Sequence, residues 1–451
     1  MSSQDVKQTI SRVEQVLQRD WITTESFQNI KDGRLNQRKQ FMILLLNFLT
    51  AIFAVRSIIG AVVDDDSVWQ LYVVNPFIGF GIFSRLLSVV YSIGFPLCVF
   101  HGITIFWFER KGKLTPLTDL KVMFRKLEDP SQEEVKQFTH ILRFIPYTSI
   151  LGFLGVIVPA CLVRAVGAAV TGYRFHGWIF AVYYCSVLFV FVFVGQYCIN
   201  VLTYTHLIIA QSTSYFKIRL NRVDDDLKEF TRQTRDPPKE LKGNRRASDK
   251  IQPEHNKQET TRVDLDRVVL DLQETLEELK EHNQLIKYFL RDELYGLAGI
   301  FIFFFVFMLG DHPWYFRVIP LTTVIFLAVI SAVSFTNASQ LYVRILFLAK
   351  SLHACQCVVV MNQGISQAKL RPRSAPSTSQ GLRPPMSTSL LVLKCKFQVL
   401  RMIQRVSSPH LRIGYTVGNG DSFSDDTAAA FVSNIFGNTL MFLNAVQGQG
   451  F

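Results

Sequence analysis

The sequence is poor in charged residues, which make up 19% of its 451 positions. A soluble globular domain of average composition carries about 25%. Hydrophobic residues reach 49%, with 38 phenylalanines, and they are grouped in long blocks separated by charged stretches. Runs of about 17–25 mostly apolar residues have the length needed to cross a bilayer. The composition therefore indicates a membrane protein and argues against a soluble globule.

The sequence also lacks the residue combinations that most enzymes and metal sites require. None of its seven cysteines forms a pair in a stretch expected outside the cell, so no disulfide framework is predicted. Cys355 and Cys357 have no second ligand pair, and no metal site is predicted. No acid–base pair, nucleophile–histidine arrangement or Gly-rich phosphate loop occurs in a suitable context. We therefore expect no enzyme activity, no cofactor and, because the first 40 residues lack an apolar core, no cleaved signal peptide.

Seven apolar blocks predict an all-α membrane protein with seven transmembrane helices, six and eight spans being the alternatives. The fourth and sixth blocks are long enough to tilt or to continue as helix beyond the bilayer. The blocks cover residues 41–63, 83–108, 144–169, 177–210, 294–310, 317–349 and 427–447.

Basic residues are almost absent from alternate connections between these blocks. The first outer connection has no Lys or Arg, and none follows Arg412, whereas 42 of the 48 basic residues lie in the N-terminal segment and the other set of connections. Lys- and Arg-rich short loops stay in the cytoplasm. The N-terminus is therefore predicted inside and the C-terminus outside, opposite to a G-protein-coupled receptor. The net charge of +12 then reflects topology, and no nucleic-acid partner is expected.

The same boundaries predict the domain organisation. A polar, Pro-containing insert at 231–258 is expected to be disordered, and Ser248 within "NRRAS" has the form of a kinase site. The segments are a cytoplasmic N-terminus (1–40), transmembrane helices 1–4 (41–210), a cytoplasmic loop with insert and helix (211–293), transmembrane helices 5–6 (294–349), a cytoplasmic loop and lead-in (350–426), and transmembrane helix 7 with an extracellular C-terminus (427–451).

A helix is predicted before the fifth span, into which it runs directly. Its apolar residues need a partner in the same chain or in another subunit, so it is either a surface helix or part of an assembly interface. They recur at helical spacing: Leu265, Val268, Val269, Leu272, Leu276 and Leu279.

The last block carries small and amide side chains along one helical stripe. With a helical rotation of about 100° per residue, this stripe is separated from an apolar face that includes Ile435, Phe442 and Val446. An amide stripe must face protein or water, so it either packs against another helix or lines a pore. Its members are Ser433, Asn434, Gly437, Asn438, Met441 and Asn444, with Gln447 at the outer end.

This arrangement resembles the insect gustatory and odorant receptor superfamily. The resemblance rests on seven spans, an inside N-terminus, a long charged loop before the fifth span and a last span that ends the sequence. "TLMFLNAVQG", with Thr439 and Gln447, is similar to the gustatory motif of Thr-Tyr, five hydrophobic residues and Gln-Phe, and Phe423 and Asp426 match its Phe-x-x-Asp lead-in. The spacing is one residue longer, and the Tyr and the final Phe are missing. The sequence is thus similar to a divergent gustatory-receptor-like member.

The resemblance implies a multi-pass plasma-membrane receptor that acts as a ligand-gated, non-selective cation channel. The last helix would line the pore of a homo- or hetero-tetramer of related subunits. The later helices would extend into a cytoplasmic anchor, and membrane lipid would surround the spans. A small organic tastant or odorant would bind among the outer halves of the spans. Aromatic and hydroxyl side chains there are Ser88, Tyr91, Tyr183, Tyr184, Phe304, Phe305, Thr322 and Thr323.

Two other functions stay open at this stage. A G-protein-coupled receptor is opposed by the predicted orientation. A membrane transporter should show inverted repeats or carboxylates within the membrane.

Overall fold

The structure is a computed structural model, and it describes the long helices of the chain together with scattered residues between them. The described residues are 8, 11–12, 15, 19, 34, 36–63, 82–111, 131, 134, 136, 147, 149–158, 161, 178–235, 265–309, 314–369, 400–404, 424, 429–430, 433, 437 and 441.

Five long α-helices and one short π-helical segment occur in the part of the chain that the structure describes. Among the described residues there is no β-strand. The helices are α1 (Gln37–Val62), α2 (Ile82–Arg110), α3 (Trp178–Arg235), α4 (Leu265–Leu309) and α5 (Trp314–Lys369), and the π-helical segment is Phe153–Ile157. The expectation of an all-helical chain is therefore met in the part of the chain that the structure describes.

α1 shows how the sequence defines a helix boundary and a membrane face. The Asn36 side chain caps the helix by accepting hydrogen bonds from the backbone N–H groups of Arg38 and Lys39, at 3.0 and 3.2 Å. The helix buries Asn47 and Thr50. Its exposed side carries Phe41, Phe48, Val55 and Val62, one every seven residues. Large apolar side chains on the exposed face, with polar side chains among the buried ones, are the reverse of the pattern in a water-soluble helix. This distribution fits a helix whose outer face contacts lipid.

Four described helices are long and apolar enough to cross a membrane. They overlap the first, second, fourth and sixth of the predicted spans. α4 contains the fifth predicted span at its C-terminal end. Of the third and seventh spans, the structure describes residues 147, 149–158 and 161 and residues 429–430, 433, 437 and 441, all of them helical. The chain is therefore a helical membrane protein, and the count of seven stays a prediction.

Three of the helices are far longer than a bilayer is thick. α3, α4 and α5 contain 58, 45 and 56 residues, whereas about 20 residues cross the hydrocarbon core. Each must therefore continue outside it, as predicted for the fourth and sixth spans. α3 reaches Arg235, which is inside the insert predicted at 231–258. A local reason is that Arg232 and Gln233 both bond the Glu229 side chain, three and four residues back on the same helix face.

The chain divides into two compact units. Unit 1 contains residues 1–215, 282–340 and 415–451, and unit 2 contains residues 216–281 and 341–414. Within unit 1, α1 packs against α2. The core of unit 1 is apolar and contains Phe53, Phe95, Phe191, Ile300 and Leu327, among others.

Unit 2 is built from the ends of the long helices. α4 begins at Leu265, where the sequence predicts a helix, and all six apolar residues of its predicted face are buried. The buried Arg219 of α3 forms ion pairs with Asp271 and with Glu278, the latter at 2.7 Å. Asp271 and Glu278 are two helical turns apart on α4, so they lie on one face and can share a single guanidinium.

Candidate ligand-binding site

A cavity of about 110 Å³ lies within the helical bundle of unit 1. Its walls come from α2, the π-helical segment, α3, α4 and α5. α2, α3 and α5 contribute residues spaced three or four apart, which places them on one face of each helix, and the π-helical segment and α4 contribute one residue each, Ile157 and Ile300. On α3 these are Phe191, Gly195, Cys198 and Leu202. The cavity is therefore formed by the facing stripes of several packed helices.

Aromatic rings form much of the cavity wall. Tyr91 stacks on Phe95 with ring centroids 5.5 Å apart, and Phe191 meets Phe95 edge-on at 6.3 Å. Phe53 backs this group by contacting Phe95 and Phe191 at 5.9 and 5.7 Å, and Phe326 adds another ring to the wall. Rings at these distances and tilts attract one another through their quadrupoles, so the group is held in a fixed shape.

Few polar atoms reach the cavity. Of the described lining residues, none is charged, and only Tyr91 and Thr323 carry a hydroxyl group. Cys98 and Cys198 also line it, and the Cys98 thiol donates a long contact of 3.9 Å to the Cys198 carbonyl oxygen. The Thr323 Oγ1 is shielded from solvent and has no hydrogen-bond partner among the described residues. The site therefore suits an uncharged, mainly apolar molecule.

The structure brings two of the residues predicted to bind ligand, Tyr91 and Thr323, together in this cavity. Ser88 is buried, and Thr322 is half-buried; the cavity lining does not include them. Tyr183 is 41% exposed, and its hydroxyl accepts a hydrogen bond of 3.2 Å from Arg56. The side chains of Tyr184, Phe304 and Phe305 lie outside the described part of the chain.

The sequence-based prediction named aromatic and hydroxyl residues in the outer halves of the spans and did not include several residues that line the cavity. Phe95, Cys98, Phe191 and Cys198 lie deeper in their blocks. Their spacing in the sequence indicates that they share a helix face. Tyr91, Phe95 and Cys98 lie four and then three residues apart, as do Phe191, Gly195 and Cys198. Aligning these stripes between helices requires their relative rotation, which a single sequence does not contain.

A cluster of polar side chains is buried in unit 1 around Glu293. The carboxyl group of Glu293 is inaccessible, and its Oε1 lies 3.3 Å from His206 Nδ1. The same nitrogen lies 2.8 Å from the Leu202 carbonyl oxygen, and Ser331 Oγ lies 3.5 Å from His206 Nε2. Glu293 directly precedes the predicted fifth span.

The residues predicted to line a pore are described in part. Ser433, Gly437 and Met441 are helical and exposed, and they recur every four residues, so they share a face. Met441 is 67% exposed. Asn434, Asn438, Asn444 and Gln447 lie outside the described residues, as does the predicted phosphorylation site Ser248.

Among the residues that the structure describes, no group of three or more His, Cys, Asp or Glu side chains could hold a metal ion. Cys355 is buried and Cys357 is exposed, so the two neighbouring cysteines face different surroundings.

These features define a helical membrane protein with an apolar cavity inside its bundle, and solved structures with the same fold are known. A comparison with protein-family models finds no match, and neither does a comparison with curated proteins. The chain is similar to the insect olfactory receptor OR5 from Machilis hrabei in complex with eugenol, with a TM-score of 0.63 at 9% identity over 98% of this chain and 99% of that chain.

A second solved structure, of the same OR5 receptor described without eugenol, gives a TM-score of 0.61 at 10% identity over the same shares. At this identity the likeness establishes the fold. The resemblance to the insect chemosensory receptor superfamily is thus confirmed at the level of the fold.

Proposed function

We propose that this chain is a subunit of a chemosensory receptor, of a gustatory-like kind, that acts as a ligand-gated non-selective cation channel. The observation that carries the proposal is the apolar cavity within a fold that matches an olfactory receptor over nearly its whole length. The related receptor OR5 is described in complex with eugenol, a small organic molecule. A tastant or odorant of similar character is the proposed ligand here.

The last segment is the proposed pore lining. Four copies of the last helix would meet around a water-filled axis in a homo- or hetero-tetramer. The exposure of Ser433, Gly437 and Met441 on one face supports this, because a face that is unburied in one chain is available to other copies or to water. Amide side chains at Asn434 and Asn438 would solvate a passing cation without adding fixed charge, so discrimination among cations would be weak.

The proposed location is the plasma membrane, with seven spans and membrane lipid around the bundle. The distribution of Lys and Arg supports an N-terminus inside and a C-terminus outside. The parts of α3, α4 and α5 in unit 2 would then belong to a cytoplasmic anchor that neighbouring subunits share.

Current recordings test this function directly. The chain is expressed at the surface of non-excitable cells, small aromatic molecules are applied, and the pipette contains GDP-β-S to block G proteins. We expect a ligand-induced current that reverses near 0 mV in mixed Na⁺ and K⁺, as a weakly selective pore requires. A current abolished by GDP-β-S would instead favour a G-protein-coupled receptor, and surface protein that gives no current with any ligand contradicts the proposal.

A matched variant separates binding from conduction. Among the residues that the structure describes, no atom lies within 4 Å of a Cβ added at Gly437, and the indole of Gly437→Trp would obstruct an axis where four copies meet. We expect the variant to keep ligand binding, measured as thermal stabilisation of the purified protein, and to lose the current. An undiminished current would exclude Gly437 from the pore.

A further inference from the structure

The Thr323 hydroxyl is an unusual feature of the cavity wall. Threonines in these helices commonly donate to the carbonyl oxygen four residues back, as Thr50, Thr205 and Thr213 do at 2.7–2.9 Å. Thr323 is also helical and its Oγ1 is shielded from solvent, yet no residue in the described part of the chain bonds to this oxygen. A buried hydroxyl without a hydrogen bond is costly, so a partner supplied by something else would be favourable.

Water is a poor partner for this hydroxyl. A buried water molecule needs about two to four hydrogen-bond partners, and apolar cavities stay dry. Here the described lining offers only the hydroxyls of Tyr91 and Thr323 and two thiols, which are weak hydrogen-bonding groups. A ligand with an apolar body and a single acceptor satisfies Thr323 without leaving other polar atoms unpaired.

The size and the walls of the cavity restrict the apolar body. A dry cavity of about 150 Å³ holds benzene, and this one measures about 110 Å³. Because this volume is below that of the benzene-binding cavity, the apolar body is limited to a single ring. The rings of Tyr91, Phe95 and Phe191 can stack against, or meet the edge of, an aromatic ligand.

We infer that the cavity selects compact single-ring aromatic molecules bearing one hydrogen-bond acceptor, and that Thr323 is the residue that recognises the acceptor. This inference rests on the proposed function, because it takes the cavity as the ligand site. The Thr323 hydroxyl donates to a carbonyl or ether oxygen of the ligand, while the aromatic wall contacts the ring. Thr323 thus discriminates between ligands by the presence of a hydrogen-bond acceptor, and the cavity discriminates between them by size.

The test compares benzaldehyde with styrene, which have almost the same shape and differ by an oxygen in place of a CH₂ group. Binding is measured as thermal stabilisation of the purified full-length protein over a range of ligand concentrations. We expect the wild type to bind benzaldehyde about 3–10-fold more tightly than styrene after correction for partition into detergent, the range expected for one buried hydrogen bond. Thr323→Val should remove this preference.

Folding of the variant provides a second readout. Because Thr323 Oγ1 has no partner in the structure, replacing it with a methyl group should leave the melting temperature of the ligand-free protein unchanged or raise it. Thr322→Val is the matched control, since Thr322 is not part of the described cavity lining. It should retain the preference for benzaldehyde.

A third variant tests the size limit. An added Cβ at Gly94, which lines the cavity, would lie 3.8 Å from Ile300 Cδ1, an ordinary contact. Gly94→Ala should therefore fold and weaken the binding of both ring compounds. Gly299→Ala is its control: the added Cβ lies 3.6 Å from Ile93 Cδ1, away from the described lining, and binding should not change.

The outcomes separate the two proposals. Equal binding of benzaldehyde and styrene, or a preference that survives in Thr323→Val, overturns the role of Thr323 alone. If neither compound stabilises the wild-type protein, the inferred ligand class is overturned, whereas the receptor proposal is decided by the current recordings. Because binding is measured on purified protein, a channel that gives no current does not affect the result.

Discussion

A single glycine shows how closely the helices of unit 1 approach one another. Asn47 of α1 donates from Nδ2 to the Tyr197 hydroxyl at 2.8 Å and to the Ile43 carbonyl oxygen at 2.9 Å. Gly102 of α2 lies directly beside this pair: a Cβ there would collide with Asn47 Oδ1 and lie 2.8 Å from the Tyr197 hydroxyl oxygen. The absence of a side chain lets three helices meet around one buried hydrogen bond.

Gly102→Ala should therefore destabilise the protein, even though alanine favours helix over glycine. Overpacking of this kind typically costs about 1–3 kcal/mol, which thermal unfolding followed by intrinsic fluorescence would detect. Gly299→Ala is the control, because its Cβ makes an ordinary contact at 3.6 Å with Ile93. That variant should be as stable as the wild type or more so, and equal melting temperatures for the two variants would contradict the close approach at Gly102.

Residue type in the sequence is informative about chemistry but not about orientation. Tyr91 and Tyr183 are both tyrosines in apolar blocks and both were predicted to bind ligand. Tyr91 lines the cavity, while Tyr183 is exposed and bonds to Arg56. Only the rotation of each helix within the bundle decides between these positions, and that rotation depends on packing with residues distant in the sequence.

At the level of the helices, the ion pairs of Arg219 join α3 to α4 within unit 2. Arg219 is 7% exposed, and its guanidinium serves Asp271 and Glu278 together. The shared charge compensates for burying the guanidinium, because each of its two NH₂ nitrogens meets a carboxylate. The sequence predicts the helix and its apolar face from spacing alone, but it gives no sign that Arg219 is the buried member among the loop's many basic residues.

Arg219→Ala should lower the stability of unit 2 by about 1.5–3 kcal/mol, the range for hydrogen bonds to charged groups. The effect should lie towards the lower end because Asp271 is 45% exposed and water replaces part of the interaction. Arg232→Ala on the same helix is the control, since its pair with Glu229 is exposed and worth little. Similar losses of thermal stability in both variants would show that Arg219 contributes no more than a surface ion pair.

The last helix is the element whose two faces differ most in chemistry. If it lines a pore, cysteines introduced by Asn434→Cys, Gly437→Cys and Met441→Cys should react with a water-soluble thiol reagent and alter the ligand-induced current. Phe442→Cys and Val446→Cys on the apolar face should neither react with the reagent nor change the current. Equal reaction on both faces, or on neither, would favour helix packing as the role of the amide stripe.

On the scale of the whole molecule, the sequence predicts the class of fold because its main determinants are local. Span length, apolar blocks and the helix continuing into the fifth span are all properties of contiguous residues, and α4 indeed runs unbroken from Leu265 to Leu309. The division into two units could not be predicted in the same way. It arises where the long helices α3 and α5 pass from one set of neighbours to another, at residues 215–216 and 340–341, without any break in the apolar or helical pattern.

The orientation of the whole chain follows from charge and is open to a direct test. A tag on the C-terminus should be labelled by antibody on intact cells, because 42 of the 48 basic residues lie in the N-terminal segment and alternate connections, and none follows Arg412. A tag on the N-terminus serves as the control and should be labelled only after permeabilisation. Labelling of the C-terminal tag only in permeabilised cells would place both ends inside, reduce the spans to an even number and contradict the proposed channel. Labelling of the N-terminal tag alone on intact cells would reverse the orientation and restore the G-protein-coupled receptor as the better explanation.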